Sequence, residues 1–263
     1  MHTQANLVAL GTIVRREIAR ILRIWGQTLL PPAITMTLYF FIFGNLIGGR
    51  IGGMQVDPAQ PTVPYIDFIV PGLIMMAVIQ NAYGNISSSF FGSKFGRYVE
   101  EMLVSPMPSW VILTGYVTGA VVRGLMVGAI VLGVAMFFTH IRLHHVFVTL
   151  STFLLTAVVF ALAGFVNAVY AKKFDDIAIV PTFILTPLTY LGGVFYPVSS
   201  LAEPWHTISL ANPIVYMVNA FRYGLLGVSD VNLYAAYAVM LITAAILAGF
   251  GLYLLRRGVG LRA

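Results

Sequence analysis

From Ser109 to Phe138 the chain reads SWVILTGYVTGAVVRGLMVGAIVLGVAMFF, with Arg123 as its one charged residue. A run of about 20 apolar residues is what a helix needs to cross the hydrocarbon core of a bilayer. Lipid offers no partner to an unbonded N–H or C=O, so such a run must satisfy its backbone within itself, as a helix does. Comparable runs recur at roughly 28–47, 66–89, 146–169, 177–196 and 232–255. Hydrophobic residues make up 59% of the 263 and charged ones 9%, and the mean hydropathy is +0.90. A soluble domain has about 45–50% apolar residues. The expectation is an all-α integral membrane protein with six transmembrane helices in one domain, 1–263. No cysteine is present, so disulfides and thiolate metal sites are excluded. The stretch RREIARILR comes too late to head a cleavable signal.

The net charge of +6 could suggest nucleic acid, but its distribution argues against such a partner. With six spans and a cytoplasmic N-terminus, Arg15, Arg16, Arg20, Arg23, Lys94, Arg97, Lys172, Lys173, Arg256, Arg257 and Arg262 face the cytoplasm. Arg50, Arg142 and Arg222 face outward, and Arg123 lies within the membrane. This is the positive-inside asymmetry of a multi-pass protein with both termini cytoplasmic.

Ahead of the first span, Leu7, Leu10, Val14, Ile18, Ile21 and Trp25 recur at helical steps while Arg16, Arg20 and Arg23 line another face. Residues 7–25 are therefore expected to form an amphipathic helix at the membrane surface. In span three, Gly115 and Gly119 share one side, and Gly124 and Gly128 the opposite side. Small residues let helix backbones approach, so this span should pack on two sides and sit centrally. The segment 197–230 is too broken by Pro197, Pro204 and Pro213 to span, yet too apolar for a free loop. A re-entrant helical hairpin in the outer leaflet fits, since irregular backbone at that depth needs protein or a water-filled cavity around it.

Catalytic signatures are missing. There is no G-x-x-x-x-G-K-[ST] loop for nucleotide, no HExxH and no GxSxG. His140, His144 and His145 cluster on an outer turn without a third established ligand, so no metal site is assigned. Arg123 has two readings. It contacts an anionic substrate group or a gating partner, or it pairs structurally with Asn167, Asn85 or Asp67.

One cytoplasmic stretch breaks the apolar pattern: FGRYVEEMLVSPMPSW, 95–110. Phe91, Phe95, Tyr98 and Met102 form an apolar stripe at helical spacing, Arg97 and Glu101 stand at i, i+4, and Pro106 ends the helix. An isolated helix this short is marginal in water and needs a membrane or protein to hold it. The segment resembles the coupling helix of type-2 ABC transporter permeases, where a Glu is followed by two apolar residues and a Leu-Val-Ser/Thr-Pro string. Glu100, Leu103, Val104, Ser105 and Pro106 match. YIDFIVPGLIMM (65–76) resembles the family's second span, and LGGVFYPVSSLAEPWHTISLANPIVYMVNAFRYGLLG (191–227) its outer hairpin. One departure is Arg97–Tyr98, where many relatives have Gly-Thr.

The resemblance implies a noncatalytic half-transporter of a bacterial inner membrane. It would pair with a second permease chain, as a homodimer, and dock two copies of a separate ABC ATPase subunit that carries the ATP and Mg²⁺. Phe95, Arg97, Tyr98, Glu100, Glu101, Met102, Leu103 and Pro106, within the coupling segment 91–106, would meet the ATPase. The cargo expected is hydrophobic or amphipathic, whether drug, lipid or glycan. The rival reading is a secondary transporter or channel, which would need broken mid-membrane helices or several intramembrane ionisable groups.

Overall fold

The computed structural model describes residues 2–51, 53–55, 62–139 and 143–260. His140, Arg142 and Arg262 of the sequence reading lie outside them. Almost everything described is helical. Helix α1 (His2–Arg23) leads into α2 (Trp25–Tyr39), which continues through a π-helical stretch, Phe40–Ile47, into α3 (Gly48–Ile51). A two-residue antiparallel ladder, β1 (Gly53–Met54) on β2 (Val63–Pro64), closes the loop that follows. Then come α4 (Tyr65–Phe95), α5 (Tyr98–Val104), α6 (Ser109–Ala135) and α7 (Val146–Tyr170). The short α8 (Asp176–Val180) passes through a π turn, Pro181–Leu185, into α9 (Thr186–Tyr190). Finally α10 (Trp205–Leu210) and α11 (Pro213–Leu226) precede α12 (Leu233–Arg257).

Among the described residues, five helices are long and apolar enough to cross a bilayer: Trp25–Arg50, α4, α6, α7 and α12. The expected span at 177–196 falls on the shorter apolar helix Asp176–Tyr190. At 1.5 Å per residue it rises about 22 Å, short of the ~30 Å hydrocarbon core. Pro181 and Pro187 flank its π turn, as expected where a proline removes a ladder hydrogen bond.

Helix ends follow from local chemistry. Asn212 accepts from the Ile214 N–H, with Pro213 at the first helical position of α11. Asn232 caps α12 through the Tyr234 and Ala235 N–H groups. Gly227 and Gly258 end these two helices at φ 78° and 67°, where a side chain would be strained.

Helix α4 lies at the centre, packed most extensively on α7 and α6. Its most apolar window is 78% buried, against 39% for α6, 22% for α12 and 12% for Trp25–Arg50. Span three is thus less enclosed than α4, for α6 leaves Trp110, Thr114, Thr118 and Ala129 exposed. Its glycines nevertheless pack on two sides. A Cβ at Gly115 or Gly119 would collide with Ile13 or Glu17 of α1, and one at Gly124 or Gly128 would press on α4. Where α7 crosses α4, Gly164 brings its carbonyl within 3.1 Å of the Ser87 hydroxyl, the close approach small residues permit.

Candidate functional site

The clustered bases of α1, the end of α4, the turn after α7 and the end of α12 gather at one end of the bundle, here the basic end. Lys94 Nζ donates to the carbonyls of Val169 and Ala171 at 2.6 and 2.7 Å, satisfying the last turn of α7. A side chain at Gly260, just past α12, would meet that same Val169 carbonyl. The Lys172–Asp176 turn closes when Asp176 accepts from the Lys172 and Lys173 N–H groups at 2.8 and 3.0 Å. Its Phe174 ring packs on Phe91 (4.9 Å) and Phe95 (5.2 Å). The turn after α7 and the end of α4 thus form one surface.

The 91–106 segment is not one continuous helix. Phe91 and Phe95 belong to α4, the chain turns at Gly96–Arg97, and α5 begins at Tyr98. Arg97 adopts φ 61°, the left-handed region in which a side chain costs about 1–2 kcal/mol and glycine costs little. The Gly expected here in relatives therefore has a physical basis. This turn divides the anticipated apolar stripe. Phe91 is buried, Phe95 and Tyr98 are 67% and 59% exposed, and the residue that anchors α5 is Val99, at 1%. Met102 and Leu103 pack partly against the core, while Glu101, Val104 and Pro106 are exposed and Glu100 is half-buried. Glu100 and Glu101 lie in the first turn of α5, favourable for the helix dipole. The result is an exposed mixed patch of Phe95, Arg97, Tyr98, Glu101 and Val104 held from beneath by Val99, Met102 and Leu103.

Behind this patch runs a polar chain. Leu7 and Trp25 of the expected interfacial stripe are exposed, and α1 also packs on the bundle. Its inner face is Ile13, Glu17 and Ile21, set against α6. Glu17, only 2% exposed, accepts from Arg20 Nη2 at 2.9 Å, Ser89 Oγ at 2.6 Å and Arg16 Nη2 at 3.4 Å. Arg20 Nη2 also donates to Asn85 Oδ1 at 2.8 Å. Arg16 Nη2 donates to the Tyr116 hydroxyl, which donates in turn to Ser93 Oγ at 2.8 Å. Burial pulls the Arg16 guanidinium down, but Tyr116 and Glu17 outweigh it and hold it above the usual arginine value.

Arg123 extends the chain inward. It reaches Asn85 Oδ1 and Asn81 Oδ1 at 3.5 and 3.4 Å, both long. Of its three anticipated partners, Asn85 is one. Asn167 donates instead to the Ile177 carbonyl at 3.2 Å. Asp67 sits in the first turn of α4, about 21 Å of helix rise from Asn81. Sequence reading missed Glu17 and the Asn81–Ser93 polar run of α4. That run of amides and hydroxyls within an apolar helix was the available signal, because such groups need partners in a membrane.

At the far end Arg222, counted on the outer side in the sequence reading, is fully buried. It donates to the carbonyls of Phe68 (3.3 Å) and Gly193 (2.6 Å) and to Asn219 Oδ1 (3.0 Å), with its guanidinium 4.0 Å from the Phe68 ring centroid. Asp230 accepts from the Val198 N–H at 2.9 Å, tying the start of the 198–230 region to its end. His144 and His145 donate their backbone N–H groups to Leu225 and Gly224. No group of metal-ligating side chains occurs among the described residues.

A family model described as ABC-2 type transporter matches residues 8–226. The chain belongs to this family. It is 55% identical to the inner membrane transport permease YadH of Escherichia coli K12 over 97% of this chain and 98% of that protein. More distantly, it is 25% identical to nodulation protein J of Sinorhizobium fredii over 71% of this chain and 69% of that one. Nodulation protein J of Rhizobium leguminosarum bv. trifolii is also 25% identical, over 72% and 71%. The chain is therefore an ABC-2 permease, a membrane transport subunit, and membership implies an ABC ATPase partner.

Proposed function

We propose that this permease is the membrane-spanning half of an ATP-driven exporter in a bacterial inner membrane, working as two copies with two ABC ATPase subunits. The observation that carries the reading is α5, whose exposed face offers Tyr98, Glu101 and Val104 at the basic end. ATP and Mg²⁺ would be held by the partner ATPase, and this chain would supply the grip. In this reading the basic end is cytoplasmic, consistent with the positive-inside rule. Helices α8 and α9 with the residues after them complete a sixth crossing, and α10–α11 form a re-entrant hairpin in the outer leaflet. Closure of the ATPase pair pushes on α5. Because α5 follows α4 after a two-residue turn, and α4 is the most enclosed helix, the push reaches the centre of the bundle. A path then opens outward between the two permease copies. Short outer connections favour a hydrophobic or amphipathic cargo.

The test is ATP hydrolysis by the co-purified ATPase, measured with Glu100→Lys and Glu101→Lys permeases. Stimulation should fall severalfold, most for exposed Glu101, with normal membrane insertion. Full stimulation and full complex yield in both variants would reject α5 as the docking element.

A further inference from the structure

Between α1, the end of α4 and α5 lies a crevice of about 320 Å³, lined among others by Arg16, Glu17, Arg20, Ser89, Ser93 and Tyr98. A volume near 300 Å³ is at the lower bound for small-molecule sites. Its hydrogen-bonding inventory is unbalanced toward donors. Each guanidinium carries five N–H donors, yet Arg16 and Arg20 both bond the protein through Nη2 alone. Arg20 Nε is buried without a partner. Ser93 Oγ accepts from Tyr116, which leaves its own proton to donate. On the acceptor side, the one carboxylate, Glu17, already takes three bonds. Two cations against one anion leave a net positive charge. The side chains of Arg16 and Arg20 are 48% and 33% exposed, so a ligand can approach both guanidinium groups even though Arg20 Nε itself is buried.

We infer that this crevice binds a phosphate ester, its oxygens taking the unspent N–H groups of Arg16 and Arg20 and the Ser93 hydroxyl. Planar guanidinium forks fit phosphate oxygens two at a time, and hydroxyls complete such cradles. The ligand is either the headgroup of an anionic phospholipid or a soluble phosphate ester. Helix α1, amphipathic and rich in arginine, favours the headgroup. Tyr98 lines the same crevice and begins α5, so an occupant would touch the segment proposed to dock the ATPase. Binding itself does not depend on that proposal.

The experiment titrates delipidated full-length protein in neutral detergent with dihexanoyl phosphatidylglycerol, and separately with glycerol 3-phosphate. Bound ligand is counted by native mass spectrometry, and thermal shift is followed in parallel. One saturable phosphatidylglycerol per chain is expected, weakened at least tenfold by Arg16→Gln and severalfold by Ser93→Ala. Arg15→Gln, an exposed base of the same helix outside the crevice, should bind as wild type. If glycerol 3-phosphate saturates the same site as tightly, the site holds and its ligand is soluble. Ser93→Ala tests the site independently should Arg16→Gln fold poorly. Wild-type binding by Arg16→Gln and Ser93→Ala would overturn the inference. So would an equal loss in Arg15→Gln, which would mark only the diffuse attraction of a basic helix.

Discussion

Two arginines inside this bundle are held in opposite ways. Arg222, at the far end, has no exposed surface and meets two carbonyls, an amide oxygen and an aromatic face. Among the described residues, Arg123 hydrogen-bonds two amide oxygens, at 3.4 and 3.5 Å, and its Nε is buried without a partner. A buried polar group whose bonds are all made is rigid, and removing it strands every partner at once. A loosely bonded one can exchange partners at little cost. At the far end Arg222 is thus locked among its partners, although an open crevice lined by Tyr223, Asn232 and Tyr237 lies beside it, whereas the basic end keeps unspent donors, a crevice and an exposed patch. A permease driven from the basic end would need this asymmetry, with one end that yields and one that holds.

The largest effect should come from Arg222→Ala. It takes the guanidinium N–H groups from the Phe68 and Gly193 carbonyls in a dry interior and leaves Asn219 Oδ1 with the Asp230 N–H alone, at a cost of about 3–4 kcal/mol. The readout is the yield of monodisperse protein and its melting temperature in detergent. A wild-type melting temperature would mean that the far end is not locked by this residue.

Glu17→Ala comes next. The carboxylate is buried but its arginine partners are partly exposed and can turn to water, so about 2 kcal/mol should be lost. Because Gly119 lets Glu17 lie directly against α6, proteolysis of α1 should quicken together with the fall in melting temperature. A lowered melting temperature without faster cleavage of α1 would separate Glu17 from the packing of that helix.

Arg123→Leu should cost about 1 kcal/mol or less, since its bonds are long, and should insert normally. If it melts as low as Arg222→Ala, the contrast between the two ends collapses. If it is stable but transports poorly, Arg123 acts in the path and not in the fold.

The smallest change is a gain. Arg97→Gly should stabilise the protein by about 1 kcal/mol, by removing a side chain from a left-handed turn. A loss would show that Arg97 makes contacts worth more than the strain.

Much of this organisation could be read from residue patterns, and the failures share a cause. The four helices at 65–95, 109–135, 146–170 and 233–257 follow from apolar runs, and the two-sided packing of α6 from the angular positions of its glycines. The short helix before Pro106 was legible from its charges and its proline. Not legible was which face turns inward. In a soluble protein polarity marks the surface, but lipid is as apolar as a core, so Ile34 or Ile246 reads like Ile74 although only the last is buried. Polar residues invert as well: the carbonyls that hold Arg222 in the interior, those of Phe68 and Gly193, lie 154 and 29 positions away in sequence. Dividing the apolar stripe at Arg97 required a backbone angle that no periodicity reports.

The central claim is that α5 meets the ATPase, and two side chains of equal exposure at opposite ends of the bundle test it directly. Val104 is 88% exposed in the last turn of α5, and Phe137 is 89% exposed just beyond α6. A photo-crosslinking amino acid placed at each position, in membranes containing the co-expressed ATPase, should yield a permease–ATPase adduct from position 104 and none from 137. An adduct from 137 with none from 104 would contradict the account.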